Sequence, residues 1–171
     1  MNLKPLKTAG IVSMIMGLLF ALTGAVTWGV ITSQLAAERI TTPGDAFLPN
    51  VKVQDPISAL AQADIINQHA LKGSNGMTYA ELGAEATKAR NAGDTAKAEE
   101  LTKQRTSTMN GSFLRASLFT SVLAYGVSLF AIGIGLTLLL LGWALNKVAS
   151  SARTVAAREG VAREGGAVRA E

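Results

Sequence analysis

Two stretches of the chain are apolar from end to end, and a polar stretch lies between them. The first, AGIVSMIMGLLFALTGAVTWGVITSQLAA, runs from Ala9 to Ala37; the second, ASLFTSVLAYGVSLFAIGIGLTLLLLGWAL, runs from Ala116 to Leu145. Neither contains an acid, a base or a histidine. A helix rises about 1.5 Å per residue, so about 20 residues cross a hydrocarbon core of roughly 30 Å. Both runs are longer than this, and the excess is absorbed by tilt or by extension into the headgroups. A soluble protein that buried two such helices would be far larger than 171 residues. The pattern predicts an all-α integral membrane protein, an antiparallel two-helix hairpin with a small helical extracytoplasmic insert. Its expected parts are a head at 1–8, a first span at 9–35, the insert at 36–112, a second span at 113–146 and a tail at 147–171.

A cleaved signal peptide fits the first run poorly. Lys4 and Lys7 supply a basic start, but the apolar run exceeds the roughly 7–15 residues of a signal core, and SQLAAER offers no clean A-x-A site.

Small residues recur within both runs. Ser13, Gly17, Ala21, Ala25, Gly29 and Ser33 follow one another at every fourth position. Ser121, Ala124, Ser128, Ala131, Gly135 and Gly142 follow a mixed, heptad-like spacing. Lipid removes the hydrophobic drive for helix pairing, leaving close van der Waals approach to provide it, and small side chains permit that approach. These are the candidate helix-packing residues, for one span against the other or for a span against a partner. The middle of each span lacks the ionisable groups that ion pathways and proton relays use, which argues against a self-contained transporter.

The middle segment begins irregularly at Pro43-Gly44 and Pro49-Asn50. Asp55-Pro56 is a helix start, with Ile57, Leu60, Ala61 and Ile65 recurring at helical spacing and Gly73 where a C-cap would fall. Thr78 to Glu81 has capping-box spacing for a second helix. Gly93-Asp94 breaks the polar stretch that follows, and NGS at 110–112 is expected to end it. The tail, with its near-repeat AREGVAREG, has no bulky apolar residue beyond valine, so disorder is expected there.

Charge sets the expected orientation. The short head and the tail are basic while the middle is near balance, so both termini are expected in the cytoplasm and residues 36–112 outside the plasma membrane. Trp28 and Trp143 suit the two interfacial belts. The net charge of +4 lies beside the membrane, where anionic lipid satisfies it, and does not point to nucleic acid. The absence of cysteine removes disulfides and thiolate metal sites.

His69 is the single histidine. Zinc or iron sites commonly need three protein ligands, and a nucleophilic triad needs an acid that orients the base toward a hydroxyl. Asp64, five residues earlier, points roughly 140° away on a helix. The GSNG turn lacks the Lys-Ser/Thr that follows in a phosphate loop. His69 therefore reads as architecture, or, with Ile57, Leu60, Ile65 and Tyr79, as a weak candidate for contacting a partner. No catalytic, cofactor-binding or metal-ligating residue is assigned, and no small-molecule substrate is identified.

The stretches ITSQLAAERI, AQADIINQHALKGSNGMTYAEL and NGSFLRASLFTSVLAYGV resemble a family of small actinobacterial two-span membrane proteins over most of residues 9–145. The resemblance implies two spans with an extracytoplasmic helical insert. Members of that family often bear the label aromatic ring-opening dioxygenase. Extradiol ring opening uses iron held by two histidines and a carboxylate, whereas this chain has one histidine. The expectation is a non-catalytic accessory, scaffolding or assembly component of a cell-envelope complex, with the lipid bilayer and another membrane protein or a second copy as partners. The alternatives are an envelope-side sensor or ligand-binding module and, third, the dioxygenase of the label.

Overall fold

The computed structural model describes the backbone of residues 4–167 and the side chains of residues 4–152 and 154. Four helices account for most of this chain: α1 (Lys4–Ala37), α2 (Pro56–Gly73), α3 (Tyr79–Asn91) and α4 (Thr95–Ala167). Among the described residues there is no strand, only an isolated antiparallel bridge between Thr41 and Lys52. α1 and α4 are each long and apolar enough to cross a membrane. The chain divides into two compact units, one of residues 1–27 and 127–171 and the other of residues 28–126.

In the first unit, glycine brings the backbones of α1 and α4 together. A Cβ placed on Gly17 would lie 2.6 Å from the Gly135 carbonyl oxygen; on Gly24 it would lie 2.7 Å from that of Ser128, and on Gly142 2.5 Å from that of Gly10. As numbers rise along α1 they fall along α4, so the two segments run antiparallel. The buried positions Gly10, Gly17 and Gly24 repeat every seven residues, as do Ser128, Gly135, Gly142 and Ala149 opposite. A strict repeat of seven keeps one face of each helix on the seam when the pair coils slightly, left-handed. Asn146 closes one end of the seam, its Nδ2 donating to the Gly142 carbonyl at 2.8 Å and lying 3.8 Å from Met14 Sδ.

The second unit has a side-chain core. Leu35, Val53, Ala59, Ala63, Leu118 and Tyr125 form its centre, with Trp28, Ile31, Ile40, Ile66 and Val122 packed around them. Trp28 meets Tyr125 edge to face at 4.7 Å between ring centroids. The Tyr125 hydroxyl donates to the Gln54 carbonyl at 3.0 Å. Its single proton is spent there, so in the 2.8 Å contact with Thr32 Oγ1 the threonine is the donor. A smaller cluster of Leu82, Ala86 and Leu101 joins α3 to the start of α4.

Local signals set the ends of these helices. Asp55 Oδ1 accepts from the Ile57 and Ser58 amides at 2.9 and 3.0 Å, and Ser58 Oγ accepts in return from the Asp55 amide. Thr78 and Glu81 form the same reciprocal box at α3. Gly93, at φ +79°, reverses the chain, and Asp94 Oδ1 accepts from the Lys97 amide at 3.0 Å to open α4. Asp55→Ala is expected to lower stability by about 1 kcal/mol, a typical loss for an N-cap side chain, as read by thermal unfolding of the full chain in detergent.

Two expectations about α4 are corrected. NGS at 110–112 does not end a segment: α4 runs through it without a break. A mid-helix glycine costs only about 1 kcal/mol. Gly111 lies close to α2, where a Cβ would meet the Ala70 and Ile66 side chains at 3.5 and 3.6 Å. The backbone also continues helically through the expected disordered tail as far as Ala167, a stretch rich in Ala, Arg and Glu, all good helix formers. The rest of the tail expectation, residues 168–171, lies outside the described residues.

Candidate functional site

His69 sits on the exposed side of α2, and its Nε2 lies 2.8 Å from Asp45 Oδ2. Both side chains are about half exposed, at 48% and 51%. Asp45 comes from the loop between α1 and α2, and backbone pairing gives that loop its shape. The Thr42 amide donates to the Val51 carbonyl at 2.9 Å, the Asn50 amide to Thr42 at 3.0 Å and the Val53 amide to Ile40 at 3.0 Å. The buried Thr42 hydroxyl donates to the Leu48 carbonyl and accepts from the Val51 amide. Asp64, the acid nearest in sequence, instead accepts from Gln68 Nε2 at 2.8 Å.

The hydrogen bond from His69 holds the Asp45 carboxyl below its ordinary value of 3.8, with Lys72 adding a smaller attraction. Glu81 is held below 4.5 by the Thr78 amide and hydroxyl. At Asp55 burial acts upward, but the bonds from the Ser58 hydroxyl and the Ser58 and Ile57 amides together outweigh it and leave the carboxyl lowered. A carboxyl with a depressed folded pKa contributes stability that is present above the unfolded value and is lost as pH falls through the folded one. The melting temperature is thus expected to drop below about pH 4, less steeply in Asp45→Asn. A pH series of thermal melts in detergent checks both slopes.

His69 and Asp45 supply a base and an acid. His69 also lines a cavity of about 310 Å³, together with Lys103, Glu100, Ser107 and Thr108 of α4. Neither hydroxyl is hydrogen-bonded to the imidazole among the described residues, and the Thr108 carbonyl accepts from Ser112 Oγ. No group of three or more His, Asp or Glu residues suited to a metal occurs among the described residues. What the geometry does accomplish is mechanical, tying the loop carrying Asp45 to α2.

The other partner-contact candidates separate. Ile57, Leu60 and Tyr79 are 60%, 40% and 39% exposed, and His69 is exposed as well. Ile65 is only 1% exposed and is unavailable to a partner. The face that α2 buries is built of Ser58, Ala59, Ala61, Ala63 and Ile65. Alanine faces allow the helix backbone to approach its neighbours closely, and this turns the larger Ile57 and Leu60 outward. Tyr79 carries Arg105 over its ring at 4.1 Å.

The helix-packing candidates separate too. On α4, Ser128, Gly135 and Gly142 are buried, and Ser121, Ala124 and Ala131 are half-buried. On α1, Gly17 is buried and Ser13 and Ala21 half-buried, but Ala25, Gly29 and Ser33 are exposed. A step of four residues turns about 400°, overshooting by about 40° each time. Over the stripe this drift carries the last members away from the face that Gly17 occupies. Gly24, absent from the four-step stripe, is buried in their place.

Comparison of the chain with protein-family models, curated proteins and solved structures returns no match.

Proposed function

We propose that this chain is a two-span protein of the plasma membrane, with both termini cytoplasmic and residues 36–112 extracytoplasmic. Its role in this reading is non-catalytic: an accessory or scaffolding component of a cell-envelope complex. The observation that carries the proposal is uncovered apolar surface. In the most apolar window of each long helix only 17% of residues are buried, whereas the core helix of a soluble protein would be mostly covered. Val12, Ile15, Leu18, Leu22 and Val26 of α1 and Leu123, Phe130, Leu136 and Leu140 of α4 all stand exposed. Bilayer hydrocarbon is the environment in which such faces cost nothing. Trp143, with Lys147 at 4.9 Å from its ring, has the make-up of an interfacial anchor on the cytoplasmic side. The resemblance to the actinobacterial two-span family supports the same layout.

The accessory role rests on what the chain leaves free. Gly29 and Ser33, four apart on α1, are small and exposed, and a Cβ on Gly29 would meet nothing within 4 Å. They offer a partner helix close approach without disturbing the chain's own seam. Crosslinked purification of the tagged protein from its native membrane tests this, with Gly29→Leu/Ser33→Leu as the comparison. A specific membrane protein captured by the wild type and lost from the variant is the expected result. Identical capture by both, or a strict monomer with no co-purifying protein, contradicts the accessory role.

A further inference from the structure

Just beyond α1 the chain encloses a cavity of about 430 Å³ whose lining includes Arg39, Lys52, Thr41 and Gln54 over the apolar Ile40 and Val53. No acidic residue lines it. Among the described residues neither Arg39 nor Lys52 forms an ion pair; the pairs are His69–Asp45, Lys88–Glu85 and Lys97–Glu100. Two cations thus line one concavity, and no acidic side chain among the described residues answers them.

The site is anchored from below. Val53 is fully buried in the core, and the Gln54 carbonyl receives the Tyr125 hydroxyl at 3.0 Å. The bridge between Thr41 and Lys52 fixes the two sides of the loop against each other. Arg39 has a φ of +53°, in the left-handed region where glycine or asparagine ordinarily follows a helix. Arginine at that position brings a cation where the backbone alone would favour another residue. The Glu38 and Arg39 amides donate to the Leu35 and Ala36 carbonyls, which reduces the negative field that a helix C-terminus would turn on an anion.

The position along the chain selects the ligand. The uncharged run ends at Ala37, so Arg39 is reached as the chain leaves the first apolar stretch. In the two-span reading this is the outer membrane surface, where lipid headgroups meet water. A cationic rim above an apolar floor matches both parts of such a lipid. Resting on the two-span reading above, we propose that the Arg39–Lys52 cavity binds the phosphate headgroup of one anionic phospholipid in the outer leaflet.

Native mass spectrometry of the full chain, released from detergent micelles, tests the assignment. The probes are dioleoylphosphatidylglycerol, dioleoylphosphatidylcholine and, separately, inorganic phosphate. One phosphatidylglycerol is expected to be retained about thirtyfold more tightly than phosphatidylcholine, on the scale of two juxtamembrane cations. Arg39→Gln/Lys52→Gln is expected to abolish the preference, Lys52→Gln alone to halve it on a logarithmic scale, and Lys97→Gln to keep it. Both altered side chains are exposed, so an unchanged melting temperature is expected to show that the fold survives. An unaltered preference in the double variant overturns the site while leaving the two-span reading intact. Displacement by inorganic phosphate as effective as by phosphatidylglycerol overturns the lipid assignment in favour of free phosphate. Release of the wild type from native membranes by alkaline carbonate overturns both readings together.

Discussion

Gly135→Ala will separate α1 from α4 in the unit that contains residues 1–27 and 127–171. The added Cβ would lie 2.5 Å from the Ala21 amide nitrogen and 2.6 Å from the Gly17 carbonyl oxygen. Both obstacles are backbone, so no side-chain rotation relieves the clash and one helix must withdraw. Overpacking of this kind costs about 1–3 kcal/mol, and rigid obstacles on both sides place Gly135 at the upper end. Alanine's better helix propensity returns less than about 1 kcal/mol. A net loss of about 2–3 kcal/mol raises the unpaired population roughly 30- to 150-fold. Spin labels at the exposed positions Val12 and Leu140, placed through cysteines in a chain that has none of its own, report this as a longer and broader distance in detergent. Gly133→Ala provides the contrast: a Cβ there meets nothing within 4 Å, and its distance distribution is expected to match the wild type. Equal behaviour of the two variants would mean that the glycine seam does not hold the pair.

Tyr125→Ala is the second change expected to act strongly, this time within residues 28–126. The side chain is 1% exposed and belongs to the central cluster. Truncating a buried aromatic costs about 3–5 kcal/mol through lost transfer energy and the cavity left behind. Trp28 loses its edge-to-face partner in the same step, a contact worth about 0.5–1.5 kcal/mol within that total. Tyr125→Phe keeps the ring and removes only the hydroxyl that joins Thr32 to the Gln54 carbonyl. Its expected cost is about 1 kcal/mol. The near-ultraviolet circular dichroism of Trp28 and its surroundings follows both variants through a thermal melt. The alanine variant is expected to lose that signal at much lower temperature, and the phenylalanine variant to shift it only modestly. Equal shifts would place the energy in the hydroxyl bridge instead of the ring.

What the sequence made legible follows the length scale of each interaction. The two apolar runs, the Asp55-Pro56 start and the Thr78–Glu81 box are written in neighbouring residues, so α2, α3 and the apolar parts of α1 and α4 could be read directly, whereas the start of α4 at Thr95 could not. The seam required the phase of a long helix. A four-residue step looks like one face over two turns, as Ser13, Gly17 and Ala21 are, yet it has rotated away by Ala25 and Gly29. The seven-residue glycine repeat at Gly10, Gly17 and Gly24 was the signal that could have fixed it. Bulk misled in α2, where Ile57 and Leu60 point outward and alanines make the buried face. The continuation of α4 through Gly111 depends on Ala70 and Ile66 lying alongside it, contacts that no local rule contains. Asp45 could not have been found from spacing at all. It reaches His69 because Thr42 shapes a loop whose pairing is tertiary.

Side-specific thiol labelling shows whether the chain crosses the membrane twice with residues 36–112 outside. Glu99 of the middle segment and Ser150 near the other end of α4 are exposed, and the chain has no native cysteine to confuse the readout. Glu99→Cys is expected to react with a membrane-impermeant maleimide on intact cells, and Ser150→Cys only after permeabilisation. Labelling of both positions from the same side, or recovery of the protein in the soluble fraction, would contradict this topology.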